Sequence, residues 1–196
     1  MTNAAPIRVA VLLSGAGSTL QAINAARLNI EIVAVLSDRA DAAGLVFAQA
    51  SGLSALCIQR RNYATKHAFE AAMSEAIEVV NPDLIVLAGY MRVLSPAMVA
   101  RFAGRMINLH PSLLPKYPGL DTHARALAAG DSEHGASVHW VTAELDGGPL
   151  IAQVRTPILP GDTPEALSAR LKPLEHALMV SVLTKIAANH RKPNQN

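Results

Sequence analysis

Asn108 and His110 stand two residues apart at the end of a short apolar run, inside the segment NLHPSLLPKYPGL (108–120). If that run is a β-strand, its alternation sends both side chains to one side. An amide donor beside an imidazole is the equipment that stabilises an oxyanion as it develops. Pro111, Pro115 and Pro118 stiffen the loop that follows, which limits how far the pair can wander. Asp146 lies further on, in ELDGGP (144–149). Asp-Gly-Gly is also a plain hairpin turn, and that alternative stays open. If the turn folds over the same strand end, its carboxylate favours a charged imidazole at His110.

A second chemical signature is SGAGSTL (14–20), set between an apolar strand and a helix. Gly15 and Gly17 let backbone approach an anion, and the helix start turns unpaired N–H groups toward it. Asp38 follows the next strand at the distance where a dinucleotide-binding fold keeps its ribose carboxylate. The third glycine of that fingerprint is missing, because Leu20 holds its place. Ser18 and Thr19 add hydroxyls that suit a single terminal phosphate, and Asp38 is expected to cap the turn Ser37-Asp38-Arg39. A turn that binds nothing is the bland alternative.

Other chemistries find less support. His134 and His139 fall in opposite register along one expected strand. No pair among the seven His has metal spacing with a third ligand close by, so no metal is expected. Cys57 is the only cysteine, which leaves no intrachain disulfide. No Gly-x-Ser-x-Gly elbow is present, so a serine hydrolase is not expected.

These residues need a frame to hold them. Ile7–Leu13 and Ile30–Leu36 are apolar, β-branched runs that read as buried parallel strands. Ala55–Ile58 and Leu84–Ala88 read likewise, and Arg105–Leu109 leads into Asn108 and His110. Between them, Ser18–Ala26, Ala42–Ser51 and Lys66–Val80 read as helices, the last with Phe69, Met73, Ile77 and Val80 on one face. Ser95–Phe102 opens with a Ser-Pro start, and His123–Ala129 is a further helix. Gly135–Thr142 and Pro149–Thr156 read as strands joined at Asp146-Gly147-Gly148. A last helix runs from Thr163 to about residue 188, and Pro173 is expected to kink or interrupt it near Lys172. The alternation predicts an α/β fold with an open, mostly parallel twisted sheet and helices on both faces. One domain is expected, with 7–110 as a phosphate-binding half and 111–188 as a second half. Residues 1–6 and 189–196 are expected to fray.

Composition agrees with a folded α/β chain of 196 residues, 51% hydrophobic and 16% charged, too apolar for disorder. A net charge of +2 without a basic tract, and few aromatics, argue against nucleic-acid binding despite a pI near 8.9. No stretch is apolar enough for a membrane span, and Met1–Arg8 lacks the apolar core of a signal peptide. A cytoplasmic protein, monomeric or homodimeric, is expected.

Taken together, these segments resemble the folate-dependent formyltransferases across nearly the whole chain. The resemblance runs from SGAGS (14–18) through LAGYMRVLSP (87–96) and NLHPSLLPKYPGLDTHARAL (108–127) to HGASVHWVTAELDGGPLI (134–151). The form KYPGLDTH (116–123) is similar to the glycinamide ribonucleotide branch. The methionyl-tRNA branch shares NLHPSLLP, but it usually carries a further C-terminal domain for which 196 residues leave no room.

The resemblance implies a Rossmann-like formyltransferase fold that moves a formyl group from 10-formyltetrahydrofolate to glycinamide ribonucleotide in purine synthesis. It implies a catalytic trio of Asn108, His110 and Asp146. It implies a phosphate loop of Gly17, Ser18 and Thr19, and a substrate-contacting segment of Lys172, Pro173, Leu174 and Glu175. A folate pocket is implied at Lys66, Met91, Arg92, Val93, Leu94 and Asn108, closed by Thr142, Ala143, Glu144, Leu145 and Asp146. Two positions depart from the pattern. Thr19 stands where the family has Asn, and Lys66 where Arg is expected, and a Lys cannot grip a carboxylate bidentately. The rival readings are a formyltetrahydrofolate hydrolase, whose chains usually carry an N-terminal regulatory domain, and a dinucleotide-binding Rossmann protein. A non-enzymatic interaction module leaves Asn-x-His unexplained.

Overall fold

The apolar runs of the sequence form strands, and the central ones are buried on both faces. In the computed structural model, which describes residues 5–190, β1 spans Ile7–Leu13 and β2 spans Ile30–Ser37. β3 covers Ala55–Cys57 and β4 covers Leu84–Leu87. These four pair in parallel in the order β3-β2-β1-β4. Val9 through Leu13 are completely buried, as a doubly covered parallel strand requires.

Three helices accompany them: α1 (Ser18–Ala25), α2 (Ala43–Ala50) and α3 (Lys66–Val80). The α3 stripe behaves as its spacing predicts, with Phe69, Met73 and Ile77 buried and Val80 half-buried. Thr65 caps that helix by accepting from the Ala68 N–H at 3.0 Å. Asn81 ends it in left-handed conformation, φ 41°. A short 3₁₀ turn at Arg60–Asn62 was not expected.

These elements form one of two compact units, which runs to Met91 and resumes at Val180; the other is Arg92–Met179. The second unit contains α4 (Pro96–Arg101), β5 (Met106–His110), α5 (Thr122–Ala128), β6 (Glu133–Trp140) and β7 (Leu150–Pro157). β5, β6 and β7 are antiparallel neighbours. The open, parallel α/β sheet read from the sequence is therefore present in the first unit, and an antiparallel ladder makes up the second.

Two expectations need correction. The strands around the Asp-Gly-Gly turn are displaced, β6 starting at Glu133 rather than Gly135 and β7 at Leu150 rather than Pro149. More plainly, α6 runs unbroken from Pro164 to Asn189 through Pro173. Proline there removes the bond to the Ala169 carbonyl. Leu167, Leu171, Leu178 and Met179 are nonetheless buried along the helix, and Lys172 bonds Glu175 across the proline at 2.8 Å. Packing of the apolar face outweighs one missing hydrogen bond. Asn189 is helical, while the rest of the expected frayed tail from 191 onward, and residues 1–4, lie outside the described residues.

The glycine turn rests on α2. Gly17 has φ 72°, and a Cβ there would meet the Gly44 Cα at 2.5 Å. A side chain at Gly17 thus faces both left-handed strain and backbone overlap. Gly17→Ala is expected to lower unfolding free energy by about 2–4 kcal/mol. Gly15→Ala, which meets nothing within 4 Å, should change it by less than about 1 kcal/mol. Urea denaturation of the pair checks this, and equal stabilities would mean that α2 gives way freely.

Candidate functional site

The strand end at β5 is built as the alternation predicted, and the antiparallel register adds to it. Asn108 pairs directly with His139 of β6, and His110 with Ser137. Cross-strand partners share a face, so an imidazole the sequence did not assign joins the group. The 141–149 connection then returns to this face. Asp146 takes φ 52° within it, and the turn closes tightly beneath, because a Cβ on Gly148 would lie 1.8 Å from the Trp140 carbonyl oxygen.

Asp146 is where the group converges. Its Oδ2 lies 3.4 Å from His110 Nδ1 and accepts the Gly119 N–H at 2.8 Å. Its Oδ1 accepts from Asn108 Nδ2 at 3.3 Å and lies 3.5 Å from His139 Nε2. Burial raises its pKa, but bonding to His139 and the Gly119 N–H, with the charge of His110, outweighs that and holds it below the usual carboxylate range. Asp146 is thus a carboxylate throughout neutral pH, and it is only 8% exposed.

The ring nitrogens can be assigned from their partners. His110 Nε2 lies 2.8 Å from the Tyr117 carbonyl, which can only accept, so this nitrogen carries hydrogen. Its Nδ1 faces the Asp146 carboxylate. Each nitrogen of a charged His110 therefore has an oxygen acceptor. His139 donates from Nδ1 to the Trp140 carbonyl at 2.9 Å. Its Nε2 sits 3.2 Å from Asn108 Nδ2.

The separations among Asn108 Nδ2, His139 Nε2 and Asp146 Oδ1 are 3.2, 3.3 and 3.5 Å, nearly an equilateral triangle. Seen from Nδ2, the two partners subtend the angle of a near-equilateral triangle, inside the spread of the amide's two N–H bonds, so both hydrogens can be engaged there. Donation from Asn108 to a developing oxyanion would share or displace one of these bonds.

The remaining expected residues fall into separate places. In the first unit, Gly17 is buried, Ser18 half-buried and Thr19 buried at the start of α1. Asp38 is buried and accepts from the Ser14 hydroxyl at 2.6 Å. In the same turn, Ser37 accepts the Arg39 N–H. Ser14 in turn accepts the Met91 N–H at 2.9 Å. Buried and bonded to Ser14, this carboxylate faces the protein rather than solvent, which weakens the support for dinucleotide binding. Lys66 opens α3 and pairs with Glu70 at 3.6 Å. Met91 is 70% exposed.

In the second unit, Arg92 and Val93 are exposed and Leu94 half-buried; Thr142, Ala143, Glu144 and Leu145 are exposed. The Leu145 side chain packs near Gly119. Pro173 is exposed and Leu174 half-buried. Glu175 is buried, not the solvated helix residue its polar type suggests, and it shares an electrostatic neighbourhood with His134. Among the described residues no group of His, Cys, Asp and Glu is arranged to hold a metal, and no helix is long and apolar enough to cross a membrane.

The chain is similar to known proteins along most of its length. Residues 7–183 match the formyl transferase family. The phosphoribosylglycinamide formyltransferase of Escherichia coli is 44% identical over 97% of this chain and 92% of its own length. The solved phosphoribosylglycinamide formyltransferase of Coxiella burnetii is 50% identical, covers 97% of this chain and 92% of its own, and superimposes with a TM-score of 0.90. Glycinamide ribonucleotide transformylase 1 of Symbiobacterium toebii is 39% identical, with a TM-score of 0.91 over 100% of this chain and 93% of that one. The chain belongs to the formyl transferase family, within its phosphoribosylglycinamide formyltransferase group.

Proposed function

We propose that this protein transfers the formyl group of 10-formyltetrahydrofolate to the amine of glycinamide ribonucleotide, a step of purine synthesis. The observation that carries the reading is the convergence of Asn108, His110 and His139 on the Asp146 carboxylate, in a chain whose relatives are enzymes of that name. When the amine attacks the formyl carbon, negative charge gathers on the former carbonyl oxygen. An N–H of the Asn108 amide and a protonated His110 stabilise it, and one such donor is worth about 2.7–4 kcal/mol at the transition state. Asp146 balances the imidazolium and orients the ring. The hydrogen on His110 Nε2 already engages the Tyr117 carbonyl, so donation to a substrate oxygen shares or displaces that bond.

Binding groups complete the reading. The backbone N–H groups at Gly17–Thr19 hold the substrate phosphate, and the Lys172–Glu175 segment contacts the rest of that substrate. In the second unit, exposed apolar side chains at Val93 and Leu145 suit the flat ring of a reduced folate, with Arg92, Leu94, Thr142, Ala143 and Glu144 as further contacts. Lys66 is placed with the folate as a point charge rather than a fork.

One assay separates transfer from hydrolysis. The protein is mixed with 10-formyltetrahydrofolate, with and without glycinamide ribonucleotide, and deformylated folate is followed. Product that depends on the amine is the expected result. Equal product without it would make the protein a hydrolase.

A further inference from the structure

The segment from Pro111 to Asp121 is braced along most of its length, and one brace has no part in the chemistry above. Asp131, between α5 and β6, accepts from the Tyr117 hydroxyl at 2.8 Å and from Lys116 Nζ at 2.9 and 3.0 Å. The Arg125 guanidinium lies over the Tyr117 ring, 5.2 Å from its centroid, a cation–π arrangement. It also donates to the Pro118 and Leu120 carbonyls at 2.6 and 3.2 Å. Bonding to Lys116, then to Tyr117, lowers the Asp131 pKa, and the bond to Asp131 raises that of the phenol. Hydroxyl and carboxylate therefore keep their protonation states at neutral pH.

The brace holds Tyr117 in a left-handed backbone conformation, φ 56°, which bulky side chains seldom adopt. In that conformation its carbonyl oxygen meets His110 Nε2 at 2.8 Å. Two residues on, the Gly119 N–H reaches Asp146. The same short stretch of backbone thus touches both members of the His110–Asp146 pair.

We propose that Tyr117, anchored through its phenol by Asp131 and Arg125, is a positioning residue for His110. Its carbonyl holds the Nε2–H and keeps the ring square to Asp146. This rests on the formyl-transfer reading. Without the carbonyl the ring is tethered on one side only, by the 3.4 Å contact to Asp146. The surrounding groups in this unit are Asp146 directly and His139 across it, while Lys116, Asp131 and Arg125 act on the loop rather than on the ring.

Tyr117→Phe keeps the ring and its stacking and removes only the hydroxyl. It is expected to lower kcat about tenfold while KM for both substrates stays within about twofold. Asp131→Leu should do the same, whereas Asp131→Asn, whose amide oxygen still accepts from the phenol, should retain most turnover. Lys116→Met removes the other partner of Asp131 and should stay within about twofold of the parent. In a His110→Ala background Tyr117→Phe should add no further loss, since its effect runs through that ring. A full tenfold loss in that background, or an unchanged kcat for Tyr117→Phe, overturns the proposal.

A second measurement needs no substrate and so separates this inference from the assigned reaction. In protein labelled with ¹⁵N-histidine, the His110 Nε2–H should exchange slowly with solvent in the parent and rapidly in Tyr117→Phe. Equal exchange in both overturns the proposal, whatever the transfer assay shows.

Discussion

Asp146→Asn is expected to cut turnover by about a thousandfold or more and to leave the fold standing. The replacement is nearly isosteric, and its amide oxygen can still accept the Gly119 N–H that Asp146 now holds at 2.8 Å. What it removes is charge. Two imidazoles, His110 and His139, lie 3.4 and 3.5 Å from this one carboxylate, and a neutral amide gives neither a counter-ion. An imidazole without its carboxylate loses both orientation and the stabilisation of its charged form, and loss of a comparable carboxylate in a hydrolytic triad costs about 10⁴ in turnover. Because Asp146 is held below the usual carboxylate range, it does not protonate as pH falls toward 5, and acidification should not imitate the substitution. The measurement is steady-state turnover of a variant whose circular dichroism and thermal midpoint match the parent. Turnover within tenfold of the parent would deny Asp146 its role.

How the residues were readable explains which of them were missed. Asn108 and His110 were legible because a two-residue spacing at a strand end is a local fact. Asp146 was legible only by family likeness, since its own signature is a common turn. His139 belongs to the same cluster but was passed over: its place depends on the antiparallel register that sets it opposite Asn108, and no local pattern in HGASVHW reports a register. The Tyr117 carbonyl and the Gly119 N–H were invisible for a different reason. They are main-chain groups, which every residue carries, and only the left-handed bend of the loop makes them count.

The same division holds for the frame. Buried parallel strands are continuous apolar runs, so β1, β2 and β4 could be placed within a residue or so. The second-unit strands are more polar, and their ends shifted. Pro173 shows a sound local rule losing to tertiary packing, because a 26-residue helix with a buried side tolerates one missing bond. Asp38 stands where a ribose carboxylate would, and the missing third glycine already argued against that role; it is buried and accepts from the Ser14 hydroxyl.

Acid should destabilise this protein well before its carboxylates titrate, and His134 is the reason. The ring sits in β6 at 1% exposure. One nitrogen bonds the Pro111 carbonyl, and Nε2 has no hydrogen-bond partner among the described residues. His123 lies edge-on at 5.0 Å between centroids. Burial first, then the neighbouring His123, push the His134 pKa down from 6.5 to about 4; the Pro111 carbonyl, Asp131 and Glu175 oppose this but do not prevail. His123 is itself lowered, by burial and then by Lys172. The unfolded chain binds a proton at His134 near pH 6.5 and the folded chain only near 4, so the unfolded state gains as pH falls through that window. Stability is full above about 6.5 and declines toward pH 4 by as much as about 3 kcal/mol from this one group. His134→Asn keeps a donor near the Pro111 carbonyl but cannot titrate. It should be less stable than the parent at pH 7, through lost packing, and should show a flatter fall between pH 6.5 and 4. Urea midpoints measured across that range decide the matter, and a variant that loses stability as steeply as the parent would place the acid sensitivity elsewhere.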